Sequence, residues 1–203
     1  ILNDKVYCKT AIRVMVFVPY ISSVVAISAI WMLILNPSQG ILNNLLRNIG
    51  YTDPPGWLGD PHWALPAVIM IGIWMGLGYN TIIYMSGLQS VSKDLYEAAR
   101  LDGASGWKLF CRITFPLLSP TTFFLFTMGI ISSFKVFDFI FQLTQGGPGN
   151  STTVLVYRIY HEGIINMRFG YASAIAYVLF AIILIITIIQ FALQDKWVYY
   201  DEK

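Results

Sequence analysis

The residues best suited to carry a function lie in a polar stretch from Asp94 to Pro116, between two apolar segments. Asp94 and Glu97 stand three residues apart, the spacing at which an acidic residue caps a helix and a glutamate completes the cap. Asp102-Gly103 supplies a stop, because glycine adopts the left-handed conformation that ends many helices. Ser105 can then cap a second helix. The stretch predicts two short helices joined by a sharp bend.

The first of these two helices offers a face that another protein can approach. Ala98 and Ala99 follow Glu97 directly, and their small side chains leave the helix surface smooth. An amphipathic loop that lies on a membrane is the alternative interpretation.

Residue types that carry catalysis elsewhere are poorly placed in this chain. His161-Glu162 is not followed by a second histidine, since position 165 is Ile165, so the helical zinc motif is incomplete. His62, Cys8 and Cys111 are isolated and match no metal-ligand spacing. The sequence contains no Gly-x-x-x-x-Gly-Lys-[Ser/Thr] phosphate loop. We therefore expect no catalytic residues, no metal ligands and no nucleotide hydrolysis by this chain itself.

The elements that position these residues belong to a very apolar chain. Of 203 residues, 56% are hydrophobic and 12% charged, and the mean hydropathy is +0.62. Soluble domains carry about 25% charged residues, so the composition excludes an ordinary soluble enzyme. The aromatic content of 15% excludes disorder. A net charge of +2 is too mild for a nucleic-acid surface. The composition predicts a membrane protein.

Four segments are long and apolar enough to cross a bilayer, which takes about 20 helical residues. They are residues 12–35, 63–88, 115–134 and 171–193, and Arg13 is the one charged residue in them. A backbone in lipid has to satisfy its own hydrogen bonds, and these runs do not alternate as barrel strands do. The sequence predicts an all-α bundle with four transmembrane helices.

Lysine and arginine predict the orientation of this bundle. Nine basic residues lie before or at the start of the first span, between the second and third, and after the fourth, against four in the other connections. Cytoplasmic loops carry the excess of positive charge. Both visible termini and the loop over residues 89–114 are therefore expected in the cytoplasm.

Polar residues also occur within or beside two spans. Gly72 and Gly76 have the spacing that lets two helices pack closely, and the nearby Asn80 can hydrogen-bond a hydroxyl group. A second group ends the third span: Ser132, Ser133, Lys135, Phe137 and Asp138. Polar groups at membrane depth usually face a cavity or a partner. Solvation at the outer surface, or a Lys135–Asp138 pair, is the alternative for the second group.

Residues 89–114 resemble the signature loop of the membrane subunits of binding-protein-dependent ABC importers, and we call them the coupling loop after this resemblance. That signature is Glu-Ala-Ala, three residues, Gly, nine residues and Ile-x-Leu-Pro. This chain has Glu97-Ala98-Ala99, Gly103 and Ile113-Thr114-Phe115-Pro116 at that spacing, with phenylalanine in place of leucine. Five flanking segments resemble the carbohydrate-uptake branch, the relatives of the maltose and glycerol-phosphate permeases: residues 88–91, 95–97, 101–104, 133–138 and 146–149.

The resemblance implies a type I ABC importer permease fold with six core helices, four of them visible here. The match begins at about the family's third helix, so residues 1–203 are expected to be a transmembrane domain without its N-terminal helices. The implied partners are a second homologous permease, two ATP-binding subunits, an extracellular or periplasmic solute-binding protein and the bacterial plasma (inner) membrane. ATP and Mg would be bound by the ATP-binding subunits, with no cofactor in this chain.

The resemblance also implies roles for named residues. Glu97 would be the charged anchor toward a basic residue of the ATPase, Gly103 would permit the bend, and small residues would form the packing face. The implied ATPase-docking residues are Glu97, Ala98, Ala99, Arg100, Asp102 and Gly103. Gly76 and Tyr79 match positions where the maltose-type permease contacts sugar. The implied substrate pathway comprises Gly76, Tyr79, Asn80, Ser132, Ser133, Lys135, Phe137 and Asp138.

Two other functional classes compete with an ATP-driven importer of a sugar or sugar-like solute. An intramembrane enzyme would need catalytic or metal-binding residues in its spans, and the second to fourth spans contain no Asp, Glu, His, Lys or Arg. A secondary transporter or channel subunit driven by an ion gradient commonly keeps ionisable relay residues or inverted repeats with broken helices. We find neither in this sequence.

Overall fold

The computed structural model describes residues 9–199, and this range is almost entirely helical, with no strand in it. Predictions that involve Lys5, Cys8 or Lys203 fall outside the described residues. The helices are α1 (Lys9–Ile21), α2 (Val24–Ile34), α3 (Ile41–Asn48), α4 (Pro61–Ser90), α5 (Lys93–Leu101), α6 (Gly106–Leu109), α7 (Phe115–Leu117), α8 (Ser119–Phe134), α9 (Asp138–Leu143), α10 (Leu155–Tyr160) and α11 (Phe169–Leu193). Two π-helical turns, Phe110–Thr114 and His161–Ile165, and a 3-10 turn, Gln194–Lys196, join some of them. The predicted all-α class is confirmed.

The second and fourth predicted spans are unbroken helices. α4 has 30 residues and α11 has 25, so at 1.5 Å per residue they measure about 45 and 38 Å, more than the hydrocarbon thickness. α4 starts sharply because the Asp60 carboxylate accepts a hydrogen bond from the His62 amide at 2.8 Å and Pro61 occupies the first turn. By length and composition, two described helices could cross a membrane, or up to four if each of two bent pairs is one span.

The predicted span over residues 12–35 is not one continuous helix. α1 and α2 are separate helices whose axes differ by 99°. Pro19 has no amide hydrogen for the carbonyl one turn earlier, and the Ser22 hydroxyl donates to the Val18 carbonyl at 2.7 Å. Ser23 then has an extended backbone. Long apolar stretches lie on both sides of these two serines, so the hydropathy averaged over the segment does not show the break.

The third span also begins differently from the prediction, which placed its start near Phe115. α8 has only 16 residues, about 24 Å, and the helical segment 106–117 before it is turned away by 64°. Pro116 and Pro120 flank the bend and cannot donate backbone hydrogen bonds. The Ser119 hydroxyl donates to the Pro116 carbonyl at 2.6 Å and accepts a bond from the Tyr199 amide at 2.7 Å. The end of the described chain is thereby fastened to the bend.

A cluster of buried apolar residues lies where α2, α4, α9 and α10 meet. Its fully buried members include Leu35, Ile71 and Ile140, and its edge is made of aromatic rings. Phe137 lies 5.2 Å from Tyr160, centroid to centroid. This cluster holds α9 and α10 against the first half of α4, at the end of the helix opposite the coupling loop.

A buried amide fixes the connection between α2 and α4. The Asn43 side chain has no exposed surface, and its amide donates to the Pro37 and Pro55 carbonyls at 3.0 and 3.1 Å. Its carbonyl accepts a bond from the Trp57 indole at 2.7 Å. The side-chain amide nitrogen of Asn43 thus donates two hydrogen bonds and its carbonyl oxygen accepts one. Because its polar atoms are paired, this buried side chain stabilises the turn-rich connection.

Candidate functional site

The coupling loop starts with a helix whose cap differs from the predicted one. Ser92, not Asp94, is the capping residue: its hydroxyl accepts a hydrogen bond from the Asp94 amide at 3.2 Å. Glu97 therefore lies too far along the helix to complete a capping box. Asp94 instead occupies the first turn, where its negative charge suits the helix dipole.

The predicted stop at Asp102-Gly103 is confirmed. Gly103 has φ = +78°, and its amide donates to the Arg100 carbonyl at 3.0 Å. The Ala104 amide donates to the Ala99 carbonyl at 2.9 Å. These two bonds form the Schellman pattern that terminates a helix. No atom lies within 4 Å of the position of a Cβ at Gly103, so the backbone conformation, not crowding, requires glycine.

Most of the implied docking residues lie on the exposed side of α5. Glu97, Ala98, Arg100, Asp102 and Gly103 are exposed, and within residues 9–199 Glu97 takes part in no ion pair. Ala99 differs, because it is only 8% exposed and packs inward. Of the two alanines predicted to form the smooth face, Ala98 is therefore the one that is exposed.

The two helical parts of the coupling loop are joined by a side-chain hydrogen bond. The Tyr96 hydroxyl lies 3.3 Å from the Thr114 hydroxyl, at the end of the π turn Phe110–Thr114. A force on α5 can therefore reach the segment that leads into α8.

The implied pathway residues of α4 have different environments. The Tyr79 ring stacks on Tyr20 with centroids 5.3 Å apart, while Asn80 is exposed. At Gly72 a Cβ would have no neighbour within 4 Å, and at Gly76 it would meet only Asn80, at 4.0 Å. The prediction that Gly72 and Gly76 mark a close helix contact is wrong for the described residues. They leave an open face on α4 beside Asn80.

Close packing occurs instead at Gly78. A Cβ there would lie 2.6 Å from the Val16 carbonyl oxygen and 3.0 Å from the Phe17 Cα. Gly78 thus lets α1 cross α4 at backbone contact. The spacing of Gly72 and Gly76 predicted a close contact at those two glycines, whereas the contact lies at Gly78, two residues after Gly76.

The polar group after α8 is not one cluster. Ser132, Ser133, Lys135 and Asp138 are exposed, whereas Phe137 is half-buried among the rings beside α9 and α10. The helix ends at Phe134, so Lys135 and Asp138 do not share one helix, and they form no ion pair in the described chain. Across residues 9–199, no hydrogen bond or ring contact joins this group to Gly76, Tyr79 or Asn80.

A cavity beside the end of α8 adds a residue that the pathway prediction missed. It has a volume of about 440 Å³ and contains one predicted pathway residue, Ser133, whose hydroxyl donates to the Ile130 carbonyl at 2.8 Å. The new residue is Arg158. The residues that line the cavity are Ser133, Phe134, Thr153, Val154, Leu155 and Arg158.

Arg158 is held by a buried carboxylate that sequence reasoning also missed. Glu162 is 2% exposed and forms ion pairs with Arg158 at 2.9 Å and Arg168 at 3.4 Å. A hydrogen bond from the Asn166 amide at 3.1 Å, together with both arginines and His161, lowers the pKa of Glu162, although burial opposes the shift. The sequence signal for this ion pair is the i, i+4 spacing of Arg158 and Glu162, which places both side chains on the same face of a helix.

The architecture is that of an all-α membrane protein, and the sequence matches a known family of such proteins. Residues 5–199 match the family described as "Binding-protein-dependent transport system inner membrane component". The chain therefore belongs to this family.

Individual relatives carry more specific names. The chain is 36% identical over 194 residues to the sn-glycerol-3-phosphate transport system permease protein UgpA of Brucella abortus biovar 1 (strain 9-941), covering 95% of this chain and 66% of the relative. It is 35% identical over 193 residues to the lactose transport system permease protein LacF of Rhizobium radiobacter, covering 93% and 64%. The chain thus spans about two thirds of the length of the curated relatives it matches.

A solved structure has the same fold. A chain of the bacterial alginate ABC transporter, crystallised with an alginate pentasaccharide-bound periplasmic protein, superposes with a TM-score of 0.86 at 29% identity. The match covers 96% of this chain and 68% of that chain. The predicted importer permease fold is confirmed by this similarity.

Proposed function

We propose that the protein is the permease subunit of an ATP-driven importer that receives a sugar or sugar-like solute from an external binding protein. The observation that carries the proposal is the exposed coupling loop: its bend, and a Glu97 side chain that forms no ion pair within residues 9–199, suit a protein partner. Alternating access would follow from rigid-body motion of helices linked to that loop.

In this proposal the ATP-binding subunit contacts the exposed side of α5. Glu97 meets a basic residue of that subunit, Ala98 permits close approach, and Gly103 fixes the angle at which α5 is presented. Arg100 and Asp102 border the contact, and Ala99 supports the helix from inside. The Tyr96–Thr114 contact of 3.3 Å would transmit movement toward α8.

The substrate pathway is proposed along the open face of α4. Gly76 leaves room, Asn80 offers an amide that both donates and accepts hydrogen bonds, and Tyr79 borders them. Ser132, Ser133, Lys135 and Asp138 would line the outer end, with Phe137 as its apolar support. Relatives named for glycerol phosphate, lactose and alginate support a solute rich in hydroxyl groups.

The proposed complex contains a second homologous permease, two ATP-binding subunits and a periplasmic or extracellular solute-binding protein. ATP and Mg are bound by the ATP-binding subunits, because this sequence contains no phosphate loop. The visible N- and C-termini lie in the cytoplasm of the bacterial cell, on the same side as the coupling loop.

Replacing Glu97, the proposed contact to the ATP-binding subunit, tests this proposal. Glu97→Lys in the full-length protein, expressed with its partner subunits, should lower ATP-dependent uptake of the transported solute at least tenfold, since reversing a contact charge costs roughly 2–5 kcal/mol. Membrane insertion should not change. Asp94→Asn is the matched control on the same helix and should retain uptake. Equal uptake by wild type and Glu97→Lys would contradict the assigned role.

The energy source separates the proposal from an ion-gradient-driven secondary transporter or channel subunit. Purification in mild detergent should recover a second permease and an ATP-binding subunit with the chain. Uptake should stop when ATP is depleted and continue when an uncoupler alone is added. Recovery of the chain alone, with uptake abolished by the uncoupler, would favour the alternative.

A further inference from the structure

The last part of the coupling loop, together with the residue that follows it, carries a ridge of exposed aromatic rings. Trp107 is 77% exposed, Phe110 41% and Phe115 55%. The Trp107 and Phe110 rings stack with centroids 5.3 Å apart, and Phe110 and Phe115 lie 6.3 Å apart. We call these three residues the aromatic ridge.

The ridge exists because the backbone has a π turn at this point. In an α-helix, residues five apart point about 140° away from each other, so Phe110 and Phe115 would lie on different faces. Here the Phe115 amide donates to the Phe110 carbonyl, the i→i+5 bond of a π-helix. That bond brings Phe115 into line with Phe110 and Trp107, while Thr114 turns inward and is 8% exposed.

The segment that carries the ridge is inclined to the membrane-spanning helix. Residues 106–117 make an angle of 64° with α8. Spanning helices tilt by roughly 20° on average, so the segment lies closer to the plane of the bilayer than to its normal. It leaves α8 at the end where the cytoplasmic boundary is expected, and tryptophan is enriched at that depth.

The two halves of the loop differ in charge. Residues 106–117 contain exposed Lys108 and Arg112 and no acidic residue, whereas residues 92–105 contain three acidic residues and two basic ones. Basic residues next to an apolar face favour an anionic lipid surface, which would repel the acidic half.

We infer that residues 106–117 form an interfacial anchor that binds anionic phospholipid in the inner leaflet. The ridge enters the boundary between headgroups and acyl chains, and Lys108 and Arg112 meet lipid phosphates. The loop then has two surfaces: α5 for protein and the ridge for lipid. Because Tyr96 and Thr114 connect them, the bilayer sets the height at which α5 is presented.

The natural thiol of Cys111 allows a direct test, since it is exposed and lies between Phe110 and Arg112. The full-length complex, with its other cysteines replaced, is spin-labelled at Cys111 in nanodiscs of phosphatidylcholine and phosphatidylglycerol. Collision with oxygen and with a water-soluble nickel chelate reports depth. We expect at least threefold higher relative accessibility to oxygen than for a label at Asp94→Cys, an exposed position in the first turn of α5 and outside the proposed docking set, in a Cys111→Ser background.

Three other results can be distinguished from the expected one. Equal exposure of both labels to the nickel chelate would place the ridge in water and overturn the inference. Protection of the Cys111 label from both reagents would show that a protein subunit covers the ridge, which also overturns it. If the Cys111 label lies at the same depth in nanodiscs of phosphatidylcholine alone, the inference that the anchor binds anionic lipid is overturned. None of these readings depends on transport, so each is independent of the proposed function.

A pair of variants supports the same test. Trp107→Ser should move the Cys111 label toward water, because the ring that holds the segment in the interface is lost. Leu101→Ser is the matched control: Leu101 is 89% exposed but belongs to the acidic half of the loop. It should leave the label unchanged, and an equal shift in both variants would argue against a specific anchor.

Discussion

Glu162 is the one buried acidic side chain in the described range, and its partners lie on both sides of it along the chain. Arg158 precedes it by one helical turn, and Arg168 reaches it from the start of α11. Asn166 completes the set with a hydrogen bond at 3.1 Å. The carboxylate therefore fixes the turn between α10 and α11 and orients Arg158 beside the cavity next to α8.

Acidification should loosen this turn. The pKa of Glu162 is lowered in the folded protein by Asn166, Arg158 and Arg168, so its contribution to stability is present above its unfolded pKa of about 4.3 and is lost as pH falls through the lower folded value. The protection factors of residues 155–168, which compare the measured exchange rate with that of an unfolded chain at the same pH, should therefore fall below about pH 4.

Substitution of this carboxylate isolates its effect. Glu162→Gln should exchange faster at pH 7 and lose the acid-dependent step in that segment. Asp138→Asn, at an exposed acid without an ion pair, should keep the wild-type profile. An acid-dependent step of equal size in Glu162→Gln would assign it to another group.

The residues predictable from sequence were those whose role depends on near neighbours. Gly103 is one example, because its stop is made by bonds to residues three to five positions away. Glu162 was missed because its enclosure depends on a π turn and on the start of α11. The inward orientation of Ala99 was missed for a similar reason, since it depends on how α5 rests on the remainder of the chain.

At the scale of the helices, the crossing of α1 and α4 depends on one glycine. Gly78→Ala should destabilise the protein by about 1–3 kcal/mol, because the added methyl group would meet the Val16 carbonyl. Gly72→Ala, in the same helix but with free space around it, should be neutral or stabilise by up to about 1 kcal/mol. Thermal unfolding in detergent measures both, and equal stability of the two variants would contradict the assigned crossing.

The end of α5 permits a second test on an element. Gly103→Ala should cost about 1–2 kcal/mol through left-handed backbone strain, which changes the direction of the loop and lowers uptake several-fold without affecting insertion. Gly129→Ala, inside α8 with no atom near the added methyl group, is the control. If Gly103→Ala transports like this control, the bend is not needed for coupling.

Hydropathy predicted the spanning elements only where the helix is continuous. α4 and α11 followed from long uncharged runs, because each residue adds its own transfer energy. The break at Ser22-Ser23 and the bend before Ser119 occur inside apolar sequence, where a proline or a serine hydroxyl redirects the backbone with little change in hydrophobicity. Prolines in membrane helices are often accommodated, so Pro19 and Pro116 alone do not predict a break.

For the whole molecule, the positive-inside rule gives a topology that can be measured. In a background without native cysteines, Asp53→Cys should react with a membrane-impermeant maleimide in spheroplasts, whereas Ser92→Cys should react only in inverted vesicles. Both positions are exposed, so accessibility differs by membrane side and not by burial. Labelling of both sites from outside would overturn the assigned orientation.

The link between Ser119 and Tyr199 has a consequence for biosynthesis. Their hydrogen bond at 2.7 Å joins residues 80 positions apart, so the bend before α8 lacks this bond until the ribosome has added Tyr199. At about 5–20 residues per second, that delay is roughly 4–16 s after Ser119 is made. During translation the coupling loop is thus attached to a bend that is still incomplete, and its final angle is set only after α11 has been synthesised.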